Sequence, residues 1–322
     1  MFKILAIDTL HESIFALLKA LPDVHIDYQP DWQRADILAH IAPYHAIIVR
    51  SKTPIDEAFI DKATHLKLIA RAGSGLDLID LSATQKRNIT CLNAPEGNRD
   101  AVAEHTLGLL LNLLHKTSIG NAQVKEGKWL REANRGYELK GKTVGIVGYG
   151  NIGYQVAKRL KAFDCEVLAY DIRPKTYLTQ EATLTDMSAI FEQADVITFH
   201  VPLTSETRHM VGKAYLDKFA KPIWLLNTSR GEVVQLEAVC EALEAGKLLG
   251  AGFDVLENEK INALTETQQK SFDYLAKSPQ VILTPHIAGW TFESYQRINE
   301  VLVEKIKDFL TTEGFWEKQT TA

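Results

Sequence analysis

The sequence predicts an α/β protein made of parallel, helix-covered sheets, with a doubly wound sheet of about six strands in its second half. Three observations carry that reading. Short apolar runs alternate with helical patterns along nearly the whole chain, the rhythm of parallel strands joined by crossover helices. The 322 residues suit two domains at roughly 150 residues each. A glycine-rich turn, Gly148-Tyr149-Gly150-Asn151-Ile152-Gly153, sits between an apolar run and a helical pattern.

In the first half the strand candidates are Lys3–Ile7, Ala46–Val49, Leu68–Ala70 and Thr90–Leu92. Helical stretches such as Glu12–Ala20 and Asp56–Ala63 lie between them. A long helical pattern runs from about Asp100 to Ser118. It is apolar on most faces around Leu107, Leu110, Leu111 and Leu114, so burial between domains or subunits is expected. Glu126–Glu138 is polar and charged, contains Gly127, Trp129, Arg131, Arg135 and Gly136, and reads as an exposed connecting arm. The second half offers strands at Thr143–Val147, Glu166–Tyr170, Asp195–Phe199, Ile223–Leu226, Leu249–Phe253 and Val281–Leu283. Thr291–Phe309 follows as an amphipathic helix, and the polar end after it is expected to fray.

Composition narrows the function. Hydrophobic residues make up 46% and charged residues 24%, an ordinary globular balance that excludes a disordered chain. A formal net charge of −5 excludes nucleic-acid binding by bulk charge. No apolar run reaches the roughly 18 residues of a membrane span. Asp8 interrupts the first apolar run too early for a signal peptide, so a cytoplasmic location is expected. Cys91, Cys165 and Cys240 stand far apart with no CxxC or Cys/His cluster, which fits free thiols and neither a disulfide framework nor a metal site. His11, His25, His40, His45, His65 and His209 show no metal-like pairing either.

The glycine turn follows the apolar run Val144–Val147 and opens a helical pattern, Ile152–Ala162. In that setting Gly148 allows the tight turn, Gly150 lets a pyrophosphate approach the backbone, and Gly153 lets helix and strand pack closely. The helix N-terminus then supplies N–H donors and positive dipole. The next strand ends in Asp171, near the spacing of a carboxylate that accepts from a ribose 2′-OH and repels a 2′-phosphate. These features predict NAD as cofactor. Arg173, two residues on, softens that preference over NADP.

Ligands of open α/β sheets bind beyond the carboxyl ends of the strands. There the second half carries His200-Val201-Pro202, Asn227-Thr228-Ser229-Arg230, Asp254 with Glu259, and Thr284-Pro285-His286-Ile287-Ala288-Gly289. One Arg, one Glu and one His project toward the edge of the glycine turn. Hydride transfer to a 2-oxo acid needs a cation for the carboxylate and a proton donor for the nascent alkoxide. Arg supplies a permanently charged fork. His exchanges a proton near neutral pH, and a neighbouring Glu favours its charged form.

With these residues in view, the chain resembles the D-isomer-specific 2-hydroxyacid dehydrogenases along nearly its whole length. The matching segments are Ala70-Arg71-Ala72-Gly73-Ser74-Gly75-Leu76-Asp77, then Asn93-Ala94-Pro95-Glu96-Gly97-Asn98 continuing to Ala103-Glu104-His105. The glycine turn with Asp171 and the four strand-end segments just quoted complete the set. Within the family it looks most like short phosphoglycerate dehydrogenases, without the extra C-terminal regulatory domain of longer ones.

The resemblance implies a Rossmann nucleotide-binding domain, residues 97–288, inserted into a flavodoxin-like substrate domain made of residues 1–96 and the C-terminal helix in 289–322. It implies Arg230, Glu259 and His286 as the catalytic trio. NAD would be lined by Gly148, Gly150, Asn151, Ile152, Gly153, Asp171, His200, Val201, Pro202, Thr228, Ser229, Arg230, Asp254, His286, Ala288 and Gly289. The substrate would meet Arg50, the backbone N–H groups of Ser74 and Gly75, Asn98 and Arg230. The implied reaction is NAD-dependent oxidation of 3-phosphoglycerate to 3-phosphohydroxypyruvate, the entry to serine biosynthesis. The alternatives are a glyoxylate or hydroxypyruvate reductase and, with less support, an NAD-sensing scaffold for protein partners. The implied partners are a small 2-hydroxy or 2-oxo acid and a second copy of the chain, docked through the nucleotide domain; neither nucleic acid nor membrane is expected.

Three positions depart from the family pattern. Leu78 stands where Asn commonly follows the Asp of the glycine-loop segment, Lys260 where Pro commonly follows the catalytic Glu, and Trp290 where a small residue often stands. Leu78 removes a loop hydrogen bond, Lys260 changes how the Glu259 loop is held, and Trp290 either narrows the pocket or, the simpler reading, packs. His105 and His115 read as core or interface histidines, and His200 as shaping the adenine-side turn.

Overall fold

The computed structural model describes residues 1–173 and 181–315. The chain divides into two compact units, Met1–Asn98 with Thr291–Ala322, and Arg99–Trp290.

The first unit alternates strand and helix: β1 (Phe2–Ala6), α1 (Ser13–Lys19), β2 (Val24–Tyr28), α2 (Arg34–His40), β3 (Ala46–Val49), α3 (Glu57–Lys62), β4 (Leu68–Arg71), α4 (Leu81–Lys86) and β5 (Thr90–Asn93). The five strands are parallel, in the order β2-β1-β3-β4-β5. Side chains alternate across a strand, and both faces of this sheet are apolar. Ile4, Ile48 and Leu68 face one layer with Ile14 and Leu18, while Leu5, Ile47 and Ile69 face another with Ile37, Phe59 and Ile60. The first layer is closed by the last helix, which supplies Ile298, Leu302, Val303, Ile306, Phe309 and Leu310. Asp56 and Asp80 start α3 and α4 by accepting the N–H of Phe59 and of Ala83.

Two helices follow: α5 (Pro95–His115) and α6 (Thr117–Lys125). The single helix expected from Asp100 to Ser118 is therefore corrected at both ends. It starts at Pro95, whose ring suits a first helical position, and it stops where Lys116 turns left-handed at φ 52°. Leu107, Leu110 and Leu114 are buried, but in the second unit's own core with Val144, Ile146 and Val156, a correction to the expected burial between domains or subunits. In the arm after α6, Trp129 and Tyr137 are exposed.

The second unit continues with β6 (Thr143–Val147), α7 (Asn151–Leu160), β7 (Glu166–Tyr170), β8 (Thr183–Leu184), α8 (Met187–Gln193), β9 (Val196–Phe199), α9 (Lys213–Leu216), β10 (Ile223–Asn227), α10 (Leu236–Glu244), β11 (Leu248–Phe253), α11 (Glu266–Lys277) and β12 (Val281–Leu283). Its parallel strands lie in the order β12-β11-β10-β9-β6-β7-β8, so the order reverses between β6 and β9. Among the described residues the sheet has seven strands rather than about six; the extra one is the two-residue edge strand β8. The chain then forms α12 (Phe292–Thr312), started by a capping box between Thr291 and Ser294. The polar end expected to fray lies, from residue 316, outside the described residues.

Candidate active site

Parallel strands bring the ends of β6, β7, β9, β10, β11 and β12 to one edge of the second sheet, and the expected cofactor and catalytic residues follow those ends. At Gly148, φ is +94° and a Cβ would lie 2.5 Å from the His200 carbonyl oxygen, so only glycine fits. A Cβ on Gly153 would lie 2.2 Å from the Gly148 oxygen, whereas one on Gly150 would meet nothing within 4 Å. The turn is thus closed inward and open outward, the shape that lets a pyrophosphate reach backbone N–H groups. Asp171 is fastened beside it: one carboxylate oxygen accepts from Tyr149 N–H at 2.7 Å and the other from Arg173 N–H at 2.8 Å. These residues fit a dinucleotide.

His200, Val201 and Pro202 adjoin the turn. The N–H of His200 donates to the Val147 carbonyl at 2.8 Å, and its Nε2 lies 3.1 Å from Thr198 Oγ1. Burial pushes this imidazole down to about 3, which keeps it neutral. After β10, the fully buried Asn227 holds the turn. Its Oδ1 accepts from both the N–H and the hydroxyl of Ser229, and its Nδ2 donates to the Arg230 carbonyl. Thr228 Oγ1 sits 3.0 Å from Thr106 Oγ1 on α5. Arg230 donates from Nη1 to the Ser229 carbonyl at 2.8 Å.

Asp254, after β11, is 1% exposed and organises the neighbouring turn. Its Oδ1 accepts the Thr284 hydroxyl at 2.6 Å and Ile287 N–H at 2.9 Å, its Oδ2 accepts Ala288 N–H at 2.8 Å, and its carbonyl accepts His286 N–H at 2.8 Å. His286 adopts φ +56°, a left-handed conformation that costs a non-glycine residue about 1–2 kcal/mol. The four bonds to Asp254 hold it there. The imidazole Nδ1 meets the Glu259 carboxylate at 2.8 Å, which leaves Nε2 without a partner among the described residues. The bond to Glu259 raises the His286 pKa above 6.5, with smaller help from Asp254, against burial and the Arg230 charge.

The loop carrying Glu259 is itself fastened. Glu257 accepts Leu236 N–H at 3.2 Å and pairs with His209 at 3.2 Å. Asn258 donates to the Ala263 carbonyl and accepts Lys260 N–H, so the loop is held although proline is missing at 260. Gly289 closes the His286 segment, and Trp290 donates its N–H to the Ile287 carbonyl. Trp290 is 57% exposed. His105 is largely covered, with its Nε2 3.0 Å from Thr284 Oγ1.

The expected substrate residues belong to the first unit. Arg50 follows β3; its N–H donates to the Asp8 carboxylate and its guanidinium lies 4.7 Å over the Tyr295 ring. Ser74 and Gly75 follow β4, where the Ser74 carbonyl accepts from Asn93 Nδ2 at 2.5 Å. The exposed Leu78 side chain offers no hydrogen bond to this loop, while its carbonyl accepts Ile55 N–H at 2.8 Å. Asn98 lies in the first turns of α5 with its Oδ1 buried and unpartnered among the described residues. Sequence reasoning did not single out Arg71, whose guanidinium lies against Gly73, at a point where a glycine Cβ would be 1.4 Å from Nη1. The signal was present, since a basic residue directly precedes the glycine loop. Among the described residues no group of three His, Cys, Asp or Glu side chains could hold a metal, and no helix is long and apolar enough to cross a membrane.

Comparison with known proteins agrees with this geometry. Residues 107–288 match the family model of the D-isomer specific 2-hydroxyacid dehydrogenase NAD binding domain. The D-3-phosphoglycerate dehydrogenase of Archaeoglobus fulgidus is 37% identical over 289 residues, 88% of this chain and 53% of that protein. The hydroxypyruvate reductase of Thermotoga maritima is 37% identical over 275 residues, 85% of this chain and 87% of that protein. The chain thus spans about half the length of the phosphoglycerate dehydrogenase relative. Among solved structures, the D-lactate dehydrogenase of Aquifex aeolicus, complexed with NAD and lactic acid, superposes with a TM-score of 0.84. It is 29% identical, covering 97% of this chain and 96% of that one. A glycine turn shaped for a dinucleotide, a Glu–His pair beside an arginine and a family model spanning both lead to one assignment: the chain belongs to the D-isomer specific 2-hydroxyacid dehydrogenase family.

Proposed function

We propose that the protein moves a hydride between NAD and a D-2-hydroxy acid, with 3-phosphoglycerate its first candidate substrate. The observation that carries this reading is the Glu259–His286 pair on a turn fastened by Asp254, with the Arg230 charge near enough to act on the imidazole. NAD, when bound, supplies the hydride acceptor for oxidation and, reduced, the donor for reduction. Gly148, Gly150, Asn151, Ile152 and Gly153 hold its pyrophosphate, Asp171 its ribose, and His200 to Pro202, Thr228, Ser229, Asp254, Ala288 and Gly289 line its remaining surface. Arg230 grips the substrate carboxylate and polarises the 2-oxygen. His286 takes the hydroxyl proton at Nε2 in oxidation and returns it in reduction, while Glu259 holds the opposite nitrogen and steadies the imidazolium. Ser74 and Gly75 N–H groups bind the carboxylate, and Arg50 and Asn98 read the group on C3.

Reduction of hydroxypyruvate or glyoxylate is the second reading, favoured by the Thermotoga relative matched over most of its length. The deciding experiment follows NADH absorbance with 3-phosphoglycerate, D-glycerate, D-lactate, hydroxypyruvate and glyoxylate, using NAD(H) and NADP(H). Turnover with one acid and NAD(H) is expected, and Asp171→Ala should narrow the preference over NADP. Arg50→Ala should weaken a phosphorylated acid more than a plain one. Silence with all five acids would overturn the reading.

We also propose a homodimer formed through the second unit and a cytoplasmic location. Exposed Val124, Trp129, Leu130 and Tyr137, clustered in sequence on α6 and the arm, support the first, and three free cysteines support the second. Light scattering in solution should give twice the chain mass, and Trp129→Asp should lower it; a monomeric wild type would remove the dimer.

A further inference from the structure

His105 on α5 takes no part in the chemistry proposed above, yet its ring points at the strand ends. Its Nε2 lies 3.0 Å from Thr284 Oγ1 and 3.5 Å from Asp254 Oδ1. Thr284 has one hydroxyl proton, and the bond of 2.6 Å to Asp254 is the charge-assisted one, so that proton goes to the carboxylate. The hydroxyl oxygen is then an acceptor, and His105 must present Nε2–H to it. The bonds run one way: His105 to Thr284, Thr284 to Asp254. Asp254 in turn holds the N–H groups of His286, Ile287 and Ala288. A carboxylate with 1% exposure needs every donor it has. The left-handed backbone of His286 persists only where its surroundings over-determine it.

We propose that His105 is a positioning residue for the catalytic turn: acting through the Thr284 hydroxyl, it orients the Asp254 carboxylate that fixes Ile287 and Ala288, the two residues directly after His286. The proposal rests on the reading of His286 as the proton-transfer group, and it adds a residue from a different element to that site. Without the His105 donor, Thr284 is free to rotate its hydroxyl away from Asp254, and the turn loses its anchor.

The test compares His105→Leu, His105→Gln, Thr284→Val, Thr284→Ser and the His105→Leu/Thr284→Val double variant. His105→Leu should lower kcat on the order of tenfold, as misplacement of a catalytic group does. It should leave NADH affinity, read by fluorescence, within about twofold of wild type. His105→Gln, which keeps an N–H near the same point, and Thr284→Ser, which keeps the hydroxyl, should recover most of the loss. The double variant should be no slower than the worse single one, because both break the same chain of bonds. Amide hydrogen exchange gives a second readout that needs no turnover: His105→Leu should speed exchange at Ile287 and Ala288. Should His105→Leu fail to fold, Thr284→Val carries the same exchange test. Full activity in His105→Leu, additive losses in the double variant, or unchanged exchange at Ile287 and Ala288 would each overturn the proposal. His286→Gln runs alongside; if it keeps full turnover, the proton-transfer reading fails, while the exchange data still decide whether His105 fixes the turn.

Discussion

His286 and Glu259 form an ion pair in which each side chain keeps about half of its surface exposed, so the pair adds little to stability. Its weight is chemical. Because Glu259 raises the imidazole pKa above 6.5, oxidation, which needs neutral imidazole, should gain rate as pH rises through the raised value; reduction, which needs imidazolium, should lose it there. Glu259→Gln removes the largest raising influence, so both profiles should move to lower pH. The small stability contribution follows the same sign: it is complete below 6.5 and disappears as pH rises through the folded value. His286→Gln should lose about 10²–10⁴-fold in kcat with NADH fluorescence binding near wild type. An unshifted profile in Glu259→Gln would break the pairing argument. The residues of this site were readable because each follows an apolar run whose end it marks. What holds them was not. That Asp254 fastens the His286 turn, that Asn227 staples the Arg230 turn and that His286 is left-handed depend on strands distant in sequence being neighbours. Single-sequence patterns carry no such information.

Strands with unbroken apolar runs were legible nearly to the residue: the buried β3 and β6 fall where those runs put them, and so do the less buried β7 and β12. The ones missed, β2 and β8, are edge strands without such a run. In β2, Val24-His25-Ile26-Asp27-Tyr28, apolar and polar residues alternate because only one neighbouring strand and part of one face shelter it, and β8 has two residues. Such stretches offer no unbroken apolar run to find. Junctions between elements are more constrained than the elements. After β10, a Cβ at Gly231 would lie 1.9 Å from the Leu256 carbonyl oxygen, backbone against backbone, between the Arg230 turn and the Glu259 loop. Gly231→Ala must push the two apart. Overpacking of this kind costs about 1–3 kcal/mol, so a fall in Tm of roughly 2–10 °C is expected. A drop in kcat should accompany it, measured by thermal melting and the NADH assay. A variant with wild-type Tm and kcat would mean that the two loops do not meet this closely.

Each unit carries its own pair of apolar layers, but only the second is continuous in sequence. The first is built from both parts of the chain, with α12 supplying six core side chains. At about 1.5–3 kcal/mol for each buried apolar side chain, removing them takes away on the order of 10 kcal/mol, as much as a domain's whole stability. Fragment 99–290 should therefore fold alone, with a cooperative melt and NADH binding, while fragment 1–98 should fold only when 291–322 is supplied. Cooperative folding of 1–98 by itself would contradict the role given to α12. That division was not visible in apolar periodicity, which is local; it entered only through the family resemblance. The same discontinuity orders events at the ribosome. The first 98 residues emerge without the helix that covers Ile4, Ile14, Leu18, Ile48 and Leu68, and it arrives only after residues 99–290 have been translated. At about 5–20 residues per second that delay lasts some tens of seconds. For that interval the nascent chain displays a sticky sheet face beside a segment already able to fold, and a holding chaperone has its target there.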